Sequence, residues 1–174
     1  GADFLRRALE ADPKHLGAKR ELGQNLLRLG KEEEGWKLIK EVQAKDKYDV
    51  VTYNLMLLHD ELQKFETLES EKFLVRMTKQ EAQVYGPQVL DLLEEANKTL
   101  GEKYGFIPKE RVVVDFYPDQ QDFAIRTLGI PGGLGILGAS FGNVLVMNSP
   151  GGPGAMGTNW ESTLWHEYCH TITL

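Results

Sequence analysis

Residues 158–174 read TNWESTLWHEYCHTITL, and their spacing organises the reading of the whole chain. His166 and His170 stand four residues apart, which on a helix places them one turn above each other on one face. Two imidazoles so placed can converge on one metal ion. Glu167, one step round, does not ligate and can take a proton from a water held by that metal. A helix is expected from the neighbouring residues. Thr158-Asn159-Trp160-Glu161 has capping-box spacing, and Trp160, Leu164, Tyr168 and Ile172 form an apolar row with Trp165 and Cys169 beside it. Thr163, His166 and His170 fall on the remaining face. The alternative is a pair of partly buried core histidines that hydrogen-bond.

Upstream of this helix the period changes twice. Residues 65–69 and 73–77 are expected as short strands, with Phe73, Val75 and Met77 alternating onto one face. Thr78-Lys79-Gln80-Glu81 opens a long helix whose core face is Ala82, Tyr85, Val89, Leu92, Leu93, Ala96 and Leu100, bent or split at Gly86-Pro87. Residues 111–117 are expected as a β-branched strand, 119–128 as a short helix closed by Gly129, 142–148 as one more strand and 151–157 as a loop. Residues 1–62 are helical by period, with apolar stripes at Phe4, Leu5, Ala8 and Leu9, then Leu16, Leu22, Leu26, Leu27 and Leu29, then Trp36, Leu38, Ile39 and Val42. The expected class is α+β, with a helical module over 1–62 and a mixed module over 63–174.

Composition sets the outer limits. The 174 residues carry 20 Lys and Arg against 26 Asp and Glu, a net charge of −6, and neither half of the chain is basic. A nucleic-acid phosphate track or an anionic-membrane patch is therefore not expected. Residues 129–157 are uncharged but hold ten glycines and three prolines, so no run reaches the ~18 apolar residues of a spanning helix. One cysteine excludes an internal disulfide framework and leaves the compartment open. Cys169 is expected as a core thiol, and His15 and His59, on the helical module, as surface or groove residues. Gly132-Gly133-Leu134-Gly135 is not a phosphate loop, because no Lys-Ser/Thr follows it.

Two resemblances extend this reading. Lys19-x-x-Leu22-Gly23-x-x-Leu26 followed by Gly35-x-x-x-Ile39 resembles the tetratricopeptide repeat, with Lys19 where a large aromatic is usual, Gly35 where alanine is usual and Lys47 where proline is expected. A helical hairpin unrelated to that repeat is the alternative. Residues 162–174, with 112–123 and 141–150 in support, resemble the gluzincins, the thermolysin-like zinc peptidases, and more narrowly the peptidase MA-like proteins that carry such repeats in front of the catalytic domain. The resemblance implies a twisted sheet packed on the motif helix, zinc held by His166 and His170, and Glu167 as general base in peptide hydrolysis. It also implies that the last strand is an edge lining the substrate cleft, so that Asn143, Val144, Leu145 and Val146 would bind substrate.

The departure from the family is the third ligand. Gluzincins take it from the following helix, and no Asp or Glu lies between Glu167 and Leu174. A third ligand is therefore expected beyond Leu174, with the polypeptide a truncated piece, inactive alone, holding little zinc and self-associating through 160–174. Expected partners are a peptide or protein substrate and a protein partner on the repeat-like helices. The alternative function is a non-catalytic binding or assembly module on a degenerate zincin scaffold.

Overall fold

The computed structural model describes residues 1–132, 135–152 and 159–173. Among them are eight helices and a five-stranded mixed sheet. Helices α1 (Ala2–Ala11), α2 (Leu16–Arg28), α3 (Glu32–Lys45) and α4 (Val50–Leu62) come first. Strands β1 (Glu66–Glu69) and β2 (Phe73–Met77) follow, then α5 (Lys79–Val84), α6 (Gly86–Tyr104), β3 (Val112–Tyr117) and α7 (Gln120–Leu128). The hairpin β4 (Gly138–Phe141) and β5 (Val144–Asn148) precedes the motif helix α8 (Trp160–Thr173).

Local chemistry sets the helix ends. Asp49 and Asp119 cap α4 and α7 by accepting from the Thr52 and Gln121 N–H groups at 2.9 and 2.8 Å. Pro87 falls in the first turn of α6, where its missing N–H is harmless, and the long helix expected from the sequence divides there. Gly23 and Gly35 let α2 and α3 approach closely. A Cβ at Gly23 would stand 2.8 Å from Ile39 Cδ1, and one at Gly35 the same distance from Leu27 Cδ2.

The strands lie in the order β1-β2-β3-β5-β4, with β2, β3 and β5 parallel and the two outer strands antiparallel to their neighbours. Alternation along β3 sends Val112, Val114 and Phe116 into a core with Val89 and Leu93 of α6 and Leu164, Tyr168 and Ile172 of α8. Tyr117 points the other way, into a core with Leu27, Trp36, Ile39, Leu55, Leu58 and Phe123. Helices thus cover both faces, as a sheet apolar on both sides requires. The change of period at 62–63 is a change of secondary structure, and the packing runs across it.

Polar groups join the helical layer to the rest. Arg28 donates to the Thr127 carbonyl at 2.7 Å, Gln24 to Leu128 and Asn54 to Gly129 at 3.4 Å, satisfying acceptors at the C-terminal end of α7. In return Arg126 donates to the Leu27 carbonyl near the end of α2 at 2.9 Å. Beneath these bonds Asp115, fully buried, accepts two bonds from Arg76 at 2.6 and 2.8 Å and lies 3.6 Å from Arg126 Nε. Arg76 also donates to both carboxylate oxygens of Glu32 on α3.

Two expectations are corrected here. Residues 142–148 do not form the free edge: β5 lies between β3 and β4, and Val144, Leu145 and Val146 are fully buried. Every residue of β5 is covered, because an inner strand with helices on both faces carries a continuous apolar run. The free edge beside α8 is β4. The capping residue of α8 is Asn159, whose Oδ1 accepts from the Ser162 N–H at 3.0 Å. Thr158, and most of the loop expected at 151–157, lie outside the described residues, as do Gly133 and Leu134.

Candidate metal centre

The motif helix is held on three sides before its histidines are considered. Leu164, Tyr168 and Ile172 enter the core between sheet and α6, and Tyr168 Oη donates to Asn97 Oδ1 of α6 at 2.7 Å. Burial, with Glu94 adding to it, pushes the Tyr168 phenol up to about 12, so it stays a neutral donor at physiological pH. On the side of the hairpin, Thr171 Oγ1 donates to the Gly142 carbonyl at 2.8 Å. Trp160, Trp165 and Cys169 pack partly covered against the same core, and Cys169 is half-buried. Most of the apolar surface expected to drive self-association is therefore covered within the chain.

His166 and His170 occupy the side left open. Their Nε2 atoms lie 3.1 Å apart and their rings meet edge-on at 89°. Neighbouring nitrogen ligands of a tetrahedral zinc, with bonds of about 2.0–2.1 Å, stand about 3.3 Å apart. The pair therefore fits two positions on such an ion. With neutral rings the same spacing suits one N–H donating to the other nitrogen, so the histidine hydrogen bond and the metal-ligand arrangement share one geometry.

Glu167 points elsewhere. Its side chain is buried against the first residue of β4, with Gly138 directly beside its methylene. Burial pushes its carboxyl above the ordinary range, and the charges of His166 and His170 draw it partly back. Glu167 is thus turned toward β4, while the Nε2 atoms of His166 and His170 face each other at 3.1 Å on the exposed side of the helix.

Other expected residues are placed apart. His15 caps α2 by accepting from the Ala18 N–H at 3.1 Å, and His59 packs edge-on against Trp36 at 4.8 Å between ring centroids. Asn143 lies in the two-residue turn between β4 and β5, where its carbonyl accepts from the Val113 N–H. Val144, Leu145 and Val146 spend their backbone groups on β3 and β4. Among the described residues no three His, Cys, Asp or Glu side chains converge to hold a metal ion. None of the described helices is long and apolar enough to cross a membrane.

Sequence reasoning missed β4, Gly138 and Asn97. Gly142-Asn143 between two short runs is a hairpin signal that locates β4. Asn97 carries no comparable signal, because a polar residue on an amphipathic helix reads as solvated until its partner is known. Compared with protein-family models, curated protein sequences and solved structures, the chain matches none of them.

Proposed function

We propose that this chain carries the zinc-binding helix and general base of a gluzincin-type peptidase. The observation that carries the reading is the combination on one helix of two imidazole nitrogens 3.1 Å apart with a buried carboxyl group beside them. His166 and His170 would hold Zn²⁺ together with a third donor that the described residues do not supply. Bound there, the ion supplies Lewis acidity toward a peptide carbonyl and lowers the pKa of water.

The protein residues then have separate tasks. Glu167, its proton affinity raised by burial, accepts the proton of the attacking water and delivers it to the departing amine. β4 offers the unpaired N–H and C=O groups of a sheet edge, to which an extended peptide can add as a further strand. α8 and β4 are neighbours, so a peptide on that edge would run past Glu167. The helical layer α1–α4 is proposed to take a protein partner, and the half-covered Trp165 leaves a small basis for self-association.

Conversion of Glu167 to Gln tests the division of tasks. In a longer polypeptide that supplies the third donor, zinc affinity should stay near wild type while peptide turnover falls by ~10² or more. Loss of zinc, or undiminished turnover, would assign Glu167 a different role.

A further inference from the structure

Gly138 begins β4 opposite Met147 and beside the motif helix. Its φ is not positive, so the backbone conformation there does not demand glycine. Space does. A Cβ at this position would stand 2.6 Å from Glu167 Cγ, 3.1 Å from Glu167 Cδ and 2.8 Å from Met147 Sδ. Sliding the helix away cannot relieve this easily. Thr171 is bonded to Gly142 one turn further along, and Tyr168 to Asn97 on the opposite side.

We propose that Gly138 is the positioning residue for Glu167. Its missing Cβ leaves a notch in the edge strand, and the methylene and carboxyl carbons of Glu167 occupy it. The notch fixes the carboxyl group against the β4 edge, on the helix that carries the imidazole pair. The inference rests on the proposed role of Glu167 as proton acceptor. A side chain at 138 would swing the carboxyl group away from the strand, its nearest neighbours being Glu167 and Met147 and neither histidine.

Thermal unfolding in a double-mutant cycle tests the notch without reference to activity. Gly138→Ala should lower Tm by about 4 °C or more in the wild-type background, the ordinary effect of overpacking in a domain of this size. When Glu167→Ala has removed Cγ and Cδ, the same change should lower Tm by less than about 1 °C. Met147→Ala, which removes the other close neighbour, should leave most of the loss in place. An equal loss with and without the Glu167 side chain overturns the proposal, as does no loss in either background. Peptidase kinetics of a longer polypeptide that supplies the third donor give the second readout: Gly138→Ala should lower kcat about tenfold or more with KM within about twofold, because the β4 backbone is kept and proton transfer is not. Unchanged kcat in an active enzyme overturns the positioning role. Absence of peptide turnover in the wild type would instead count against the peptidase reading, and the unfolding cycle would still decide what Gly138 holds.

Discussion

Tyr168 Oη donates to Asn97 Oδ1 at 2.7 Å, and the bond sits inside the core between α8 and α6. It fixes the rotation of the motif helix, since Tyr168 lies between the two histidines in sequence and on the opposite face. Tyr168→Phe keeps the ring and leaves the Asn97 carbonyl oxygen buried without that donor. The expected loss in urea unfolding is about 1–3 kcal/mol. A variant as stable as wild type would mean that the bond contributes nothing to holding the helix.

Asp115 is the shared anion of the buried network between sheet and helical layer, bonded to Arg76 and paired by charge with Arg126. Asp115→Ala leaves Arg126 with only its bond to the Leu27 carbonyl and Arg76 with only Glu32. Removing one partner of a buried pair costs about 3–5 kcal/mol. Chemical unfolding should show that loss as one transition, because both layers share a core. Two separated transitions would indicate that α1–α4 unfold independently of the sheet.

These features divide by how they are written in the sequence. The motif helix was legible because four-residue spacing, an apolar row and a capping signal agree within seventeen residues. The strands β1, β2 and β3 were legible from alternation and β-branched runs. Strand order was not, since Val144–Met147 is a continuous apolar run that marks an inner strand only when a second covering layer is known. That layer comes from residues 1–62, whose periodicity shows amphipathic helices without saying what they cover. Arg76, Asp115 and Arg126 lie far apart in sequence, so their network exists only once β2, β3 and α7 are assembled. Gly138 was hidden for a similar reason: its notch is defined by a side chain twenty-nine residues away.

Asp49 supplies a pH dependence with a definite sign. Burial alone would raise its carboxyl, but bonds from the Thr52 N–H and the Arg20 guanidinium, with the Arg20 charge, hold it below the ordinary carboxylate value. A carboxylate depressed in the folded state adds stability that is fully present above the unfolded value of about 3.9 and is lost as pH falls through the folded value. Asp49→Asn preserves the cap and removes the charge. The variant should melt below wild type at pH 7, with the gap closing below about pH 4. A gap independent of pH would remove the charge from the explanation.

The central claim is that His166 and His170 together bind zinc, and competition of the protein against a chromophoric chelator measures it most directly. The wild-type chain should take one Zn²⁺ that a strong chelator readily removes, as befits a site with two identified nitrogen ligands. His166→Ala and His170→Ala should each weaken binding at least about tenfold, and Cys169→Ser should leave it unchanged. Wild-type affinity in both histidine variants, or no zinc uptake by the wild type, would contradict the account.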